Sequence, residues 1–202
     1  MKTKRELKTG AKIAILLAAF LLILGCAFFI YVSDYSHADE AAIAAAVSAT
    51  DIHISNSDGA LVFDPGNADT ALIFYPGGKV EYTAYEPLMI KLAQQGILCI
   101  LPKMPFNLAV FNINAADTYI PQFPEITHWY VGGHSLGGSM AASYAAKNSE
   151  KLEGLILLAS YSASDLSQSD LKVLSIFGSR DGVLNIDSYH SSRSNLPADF
   201  SE

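Results

Sequence analysis

The residues GGHSLGG (132–138) connect the apolar segment Trp129–Val131 to an alanine-rich segment. Within them, Gly133 and Gly137 flank Ser135 at a distance of two residues, which is the G-x-S-x-G pattern. A chain that turns this sharply from strand to helix holds the serine in a strained conformation, and side chains at the flanking positions would collide. The following helix N-terminus would point N–H groups at an oxyanion. We therefore expect Ser135 to be a nucleophile; a structural glycine-rich turn is the alternative.

Short apolar runs alternate with helical spacing on both sides of this motif. Five runs are typical of buried strands: residues 71–75, 97–101, 128–132, 155–159 and 173–177. Helical patterns lie between and after them, at residues 85–95, 115–120, 136–147 and 186–195. A hairpin around residues 57–59 precedes them. Strands that alternate with helices and are apolar on both faces predict an α/β fold, with a mostly parallel central sheet and helices on both faces.

Two glycine-rich turns carry a resemblance to a known family. One is GHSLGG at residues 133–138, and the other is FYPGG at residues 74–78, one strand–helix–strand unit upstream. Together they resemble the α/β-hydrolase superfamily and, more narrowly, the small dienelactone-hydrolase-like bacterial group in a membrane-anchored form. The resemblance spans about residues 52–202. It implies a serine hydrolase that acts on an ester or related acyl bond of a small-molecule substrate.

The resemblance also implies where an oxyanion would be held. In this family the turn after the first central strand supplies one backbone donor. Here that donor would be the N–H of Gly78, or the N–H of Lys79 if the correspondence slips by one residue. The residue after the nucleophile, Leu136, would supply the other donor. An ordinary turn at residues 76–78 is the alternative interpretation of the first site.

A carboxylate follows the strand predicted at residues 173–177. Asp181 lies there in the loop Gly178–Val183, and the order of the family's catalytic triad is Ser, then Asp or Glu, then His. Asp181 would orient the histidine and stabilise its imidazolium form. Asp165, after the preceding strand, is the second candidate, and a solvated turn aspartate is the remaining alternative.

The histidine of the triad is missing from its expected place. Downstream of Asp181 the sequence holds only His190, in the helix predicted at residues 186–195, and such a helix lies away from the strand ends. In the family the histidine follows one further strand. We therefore expect the catalytic histidine to lie beyond residue 202 and the domain to lack its C-terminal strand and helix. The chain is then either a truncated fragment or a natural short form, and without its base Ser135 stays a weak nucleophile.

The other histidines are expected to have no part in the chemistry. His134 adjoins the nucleophile, but neighbouring side chains on a strand point to opposite faces, so a packing role is expected. His37, His53 and His128 precede the nucleophile and are expected on the surface.

The N-terminal part of the chain has a different composition. Residues 13–32 (IAILLAAFLLILGCAFFIYV) contain neither charge nor proline, and as a helix they would be about 30 Å long, the thickness of a bilayer's hydrocarbon core. Residues 1–12 carry five positive charges and one negative charge. By the positive-inside rule, the sequence predicts a single-pass cell-membrane protein with a cytoplasmic basic tail at 1–12 and an anchor at 13–32. A polar, alanine-rich stalk at 33–50 would then lead to an extracellular hydrolase domain at 51–202.

Two other interpretations of the apolar segment stay open. A signal peptide would be cleaved from the mature protein, although this apolar run is long for one. Residues 23–26 also come close to a lipidation motif ending at Cys26, but the apolar run continues beyond that cysteine.

Charge and composition exclude several classes of function. Residues 13–202 carry eight positive and nineteen negative charges, a net charge of −11, which argues against nucleic-acid binding. Cys26 and Cys99, one in the apolar segment and one in a predicted strand, provide no disulfide framework. No cluster of histidine, cysteine and carboxylate has metal-ligand spacing, so neither a metal nor a cofactor is implied. The alternative to a hydrolase is a catalytically silent extracellular binding protein that keeps the fold.

Overall fold

The computed structural model describes residues 9–198 and 200–202, and the chain divides into two compact units, residues 1–35 and 36–202. The described part of the first unit is dominated by α1 (Thr9–Ser33), 25 residues long and without an acidic residue in its first turn. This helix is long and apolar enough to cross a membrane. The predicted apolar N-terminal helix is therefore present. Most of the predicted basic tail, residues 1–12, lies outside the described residues.

The second unit is built on one sheet of seven described strands. They are β1 (His53–Ser57), β2 (Ala60–Asp64), β3 (Thr70–Tyr75), β4 (Leu98–Pro102), β5 (His128–His134), β6 (Gly154–Leu158) and β7 (Lys172–Ile176). Their order across the sheet is β1-β2-β4-β3-β5-β6-β7. The strand β2 is antiparallel to both β1 and β4, whereas β4, β3, β5, β6 and β7 pair in parallel. All the parallel strands therefore end at one edge of the sheet, where a site can form.

Helices cover both faces of this sheet. They are α2 (Glu40–Ser48), α3 (Glu86–Ala93), α4 (Ala116–Tyr119), α5 (Leu136–Ala145) and α6 (Ile186–Ser192). On one face α5 buries the alanines Ala141, Ala142 and Ala145, whose small side chains allow a close approach to the sheet. On the other face α3 buries Met89 and Ile90. The predicted α/β fold, a mostly parallel sheet with helices on both faces, is confirmed.

The second unit begins earlier than the domain boundary predicted at Asp51. The Asp39 side chain caps α2 by accepting hydrogen bonds from two backbone N–H groups of its first turn. The helix packs against α3, and Ala46 contacts the apolar core. Ser36 forms a parallel bridge with Val80. Residues 36–50, expected within a stalk, therefore supply apolar contacts to this unit.

The last strand is not covered on both faces, contrary to the pattern expected for a buried strand. Along β7, Val173 and Ser175 are buried, but Leu174 is 39% and Ile176 is 51% exposed. Ser201 pairs in parallel with Leu174, and its N–H donates to the carbonyl oxygen of Val173 over 2.8 Å. An uninterrupted apolar run in the sequence cannot reveal such an open face, because it does not show which neighbours cover it.

Candidate active site

Ser135 occupies the turn between β5 and α5 with φ 51° and ψ −124°, a backbone conformation that is costly for any residue with a side chain. Its two flanking glycines have no room for a side chain. A Cβ atom on Gly133 would lie 2.6 Å from the Tyr75 carbonyl oxygen, and one on Gly137 would collide with the carbonyl oxygens of Tyr75 and Pro76. The turn therefore packs directly onto the end of β3, and the G-x-S-x-G spacing is a steric requirement.

Hydrogen bonds from the β6 side hold both peptide groups of the strained serine. The Ser135 N–H donates to the Leu158 carbonyl oxygen over 2.9 Å. The Ser160 hydroxyl donates to the Ser135 carbonyl oxygen over 2.7 Å, and Ser160 is only 2% exposed. A Cβ atom on Gly138 would lie 2.6 Å from this hydroxyl, which explains a third glycine at the turn. Sequence reasoning missed Ser160, because nothing in its local sequence distinguishes it from other loop serines.

The two residues expected to hold an oxyanion lie side by side. A Cβ atom on Gly78 would come within 2.9 Å of the Leu136 side chain. No hydrogen bond from the N–H of either residue is found within residues 9–198 and 200–202. The N–H of Lys79, the alternative donor, instead donates to the Asn107 carbonyl oxygen over 2.8 Å. Of the three candidate N–H groups, that of Lys79 is therefore engaged, while those of Gly78 and Leu136 have no acceptor among the described residues.

A cleft of about 460 Å³ opens beside the turn between β5 and α5, and both Ser135 and Asp181 line it. The Asp181 carboxylate accepts hydrogen bonds from the N–H groups of Val183 (2.8 Å) and Leu184 (3.0 Å). These bonds to Leu184 and Val183 lower the pKa of Asp181, because they stabilise the charged form. A carboxylate that is charged at neutral pH thus lies at the same cleft as Ser135.

Asp165, the second candidate acid, lies elsewhere. It is exposed, does not line this cleft, and accepts a hydrogen bond of 2.9 Å from the Ser167 N–H within its own turn. That bond, together with the Ser167 hydroxyl, lowers its pKa. Its geometry is that of a solvated turn residue.

The histidines are distributed as follows. His190 is exposed on α6 beside the Tyr189 ring and does not line the cleft. His134 does line it, and its Nδ1 atom lies 2.9 Å from the Tyr85 hydroxyl, so it has more than the packing role expected of it. Burial lowers the pKa of His134. His37, His53 and His128 are all exposed.

The described residues contain no group of three or more histidine, cysteine, aspartate or glutamate side chains that could hold a metal ion. Both cysteines are free thiols; Cys99 is buried, and burial raises its pKa to about 12, which makes it unreactive at neutral pH. The polar groups of the cleft are therefore hydroxyls, an imidazole, a carboxylate and backbone N–H groups. This set suits acyl transfer through a serine.

Comparisons with known proteins concern the family and the fold of this chain. A family model described as "Alpha/beta hydrolase family" matches residues 71–201. Among solved structures, the chain is similar to one described as a predicted CIB-like hydrolase from Thermoplasma acidophilum. The two share 14% identity with a TM-score of 0.51, over 72% of this chain and 81% of that one, a likeness that concerns the fold alone. No curated protein matches the chain.

Proposed function

Because this chain belongs to the alpha/beta hydrolase family, we propose that it is a serine hydrolase that cleaves an ester or related acyl bond of a small molecule, with Ser135 as its nucleophile. One observation carries the proposal. Ser135 has φ 51° and ψ −124° in a turn whose flanking glycines leave no space for side chains. A protein keeps such strain where the surrounding structure and the function require it.

The proposed reaction proceeds by acyl transfer. The Ser135 oxygen attacks the substrate's carbonyl carbon, and the negative charge that develops on the carbonyl oxygen is stabilised by the N–H groups of Gly78 and Leu136. The tetrahedral intermediate collapses to an acyl-enzyme and releases the alcohol, and water then hydrolyses the acyl-enzyme. A histidine accepts the serine proton, and the Asp181 carboxylate orients that histidine and stabilises its charged form.

We propose that this histidine lies beyond residue 202, on a segment that follows a further strand beside β7. The parallel bridge between Leu174 and Ser201 supports such a strand. His190 does not line the cleft, and the Nδ1 atom of His134 is already in contact with Tyr85. The coding DNA downstream of codon 202 provides the test. A glycine-rich loop that carries a histidine supports the proposal, and a stop codon there contradicts it.

A fluorophosphonate probe tests the nucleophile directly, since it forms a covalent bond only with an activated serine. In a form that carries the downstream histidine, we expect labelling of the wild type, with the modified peptide containing Ser135, and no labelling of Ser135→Ala. The matched control is Ser191→Ala, which removes an exposed hydroxyl that bonds only within its own helix and should leave labelling intact. If no serine is labelled in a form that carries the downstream histidine, the hydrolase proposal is wrong.

One observation favours a second candidate, a catalytically silent extracellular binding protein. Within the described residues no histidine contacts both the serine and the Asp181 carboxylate. A silent protein would keep the cleft as a binding site without turnover. It would bind small acyl compounds, detectable by calorimetry, yet neither react with the probe nor hydrolyse an ester.

For the location of the protein, we propose that α1 anchors it in the cell membrane with the N-terminus in the cytoplasm and the hydrolase domain outside. The support is its length of 25 residues, the uncharged apolar run at residues 13–32 and the basic residues that precede this run. The protein should remain with membranes after alkaline carbonate extraction, and protease added to intact cells should digest the domain. Release into the supernatant would indicate a cleaved signal instead.

A further inference from the structure

The Tyr85 hydroxyl contacts two segments that are far apart in the sequence, the turn after β3 and the end of β5. Tyr85 ends a 3₁₀ turn, Tyr82–Tyr85, just before α3, and its ring packs against Phe74 with the ring centroids 5.2 Å apart. Its oxygen accepts a hydrogen bond of 3.0 Å from the Gly77 N–H. The same oxygen lies 2.9 Å from the Nδ1 atom of His134. A Cβ atom on Gly77 would lie within 2.8 Å of both groups, so these three residues are in close contact.

The protons of this network can be assigned from its donors. The Gly77 N–H can only donate, so the Tyr85 oxygen accepts from it, and the phenolic proton is left for the Nδ1 atom of His134. Burial raises the pKa of Tyr85 and lowers that of His134, against a weaker opposing effect of the Asp181 charge. Both side chains are therefore neutral at neutral pH. A neutral imidazole whose Nδ1 accepts a hydrogen bond carries its own proton on Nε2.

The two bonded segments are those that carry the proposed oxyanion donors. Gly77 directly precedes Gly78, and His134 lies two residues before Leu136. Each donor N–H belongs to a different part of the sheet edge, one after β3 and one after β5. Such donors stabilise an oxyanion only if their relative position is fixed before the reaction, and a displacement of about 1 Å costs about a hundredfold in rate.

We propose that Tyr85 is a positioning residue that links the two halves of the oxyanion hole through its hydrogen bonds to Gly77 and His134. It does not touch the reacting atoms. It fixes the turn that carries Gly78 relative to the turn that carries Leu136. The inference rests on the proposed function, because in that function the N–H groups of Gly78 and Leu136 bind the same oxyanion.

The kinetic test compares Tyr85→Phe with Tyr82→Phe. The first substitution keeps the half-buried ring and removes both hydrogen bonds, while the second removes a hydroxyl of the same turn for which no hydrogen bond is found within residues 9–198 and 200–202. Inactivation by a fluorophosphonate gives a limiting rate and a half-saturating concentration. We expect Tyr85→Phe to lower the limiting rate by about tenfold, with the half-saturating concentration little changed and the melting temperature lowered by only a few degrees, because the Gly77 N–H loses its acceptor. Tyr82→Phe should match the wild type.

An NMR measurement tests the hydrogen bond between Tyr85 and His134 without any enzymatic reaction. Long-range ¹H–¹⁵N NMR distinguishes protonated from unprotonated imidazole nitrogens. Wild-type His134 should be the Nε2–H tautomer, and Tyr85→Phe should shift it to a mixture of tautomers. A labelled Tyr85→Phe protein with wild-type rate and wild-type tautomer overturns the inference while leaving the proposed function intact. Absence of labelling in a form that carries the downstream histidine overturns the proposed function, and the inference falls with it.

Discussion

The buried hydroxyl of Ser160 donates a hydrogen bond of 2.7 Å to the carbonyl oxygen of Ser135. Ser160 follows β6, which lies beside β5, the strand that leads to Ser135. The Leu158 carbonyl oxygen of β6 accepts a hydrogen bond from the Ser135 N–H. The strained serine is thus held from outside its own turn, by hydrogen bonds to both of its peptide groups. The cost of the positive φ angle is offset by contacts with the neighbouring strand.

Replacement of Ser160 by alanine should therefore affect both stability and reactivity. The substitution removes the side-chain donor to the Ser135 carbonyl oxygen, which then keeps only the Ser139 N–H at 3.1 Å, and we expect the free energy of unfolding to decrease by about 0.5–1.5 kcal/mol. Labelling of Ser135 should also slow, because its backbone can relax. Urea denaturation and probe labelling measure the two effects. The control is Ser191→Ala, an exposed serine that bonds only within its helix, and equal stability of the two variants would contradict this role.

Gly137→Ala should prevent the turn from forming. Its Cβ atom would collide with two carbonyl groups at the end of β3, and backbone atoms of a central strand cannot move aside. We expect a loss of about 3 kcal/mol in the free energy of unfolding, at the upper end for overpacked sites, and no labelling of Ser135. Gly182→Ala is the matched control, since its Cβ atom would meet open space. A Gly137→Ala protein of wild-type stability would mean that the turn has a different geometry.

The stability of the protein should decrease as the pH falls below about 6.5, in part because of His134. Its pKa is lowered by burial in the folded state, so the unfolded chain binds the proton more readily. This contribution to the free energy of unfolding is fully present above the pKa that His134 has in the unfolded chain. It is lost as the pH falls towards the pKa that His134 has in the folded protein, by no more than about 1.4 kcal/mol per pH unit. Protonation of His134 would also disrupt its hydrogen bond with Tyr85. The negative charge of Asp181 acts in the opposite direction, because it raises the pKa of His134. Chemical denaturation between pH 7.5 and 5 should show a smaller slope for His134→Gln, and an identical slope would contradict the assignment.

Much of this fold could be predicted because its signals are local. The strand runs and the G-x-S-x-G spacing predict the order of elements within a few residues, since periodicity and turn sterics act between neighbours in sequence. The contacts of Ser160 and Tyr85 could not be predicted, because the sheet brings them to residues 25 and 49 positions away. The packing of α2 was also missed, since an alanine-rich helix has no strong apolar stripe and its contacts depend on the surface it meets.

Because one face of β7 is exposed, substitutions on its two faces should differ in their effect on stability. Side chains alternate across a strand, so Leu174 faces solvent while Val173, only 5% exposed, faces the core. Leu174→Lys should leave the melting temperature nearly unchanged and should reduce both binding of a hydrophobic dye and aggregation, because it removes exposed apolar surface. Val173→Lys should instead destabilise the domain by about 3 kcal/mol or more, because it buries a charge without a partner. Equal losses of stability in the two variants of the chain of residues 1–202 would contradict the open face at Leu174.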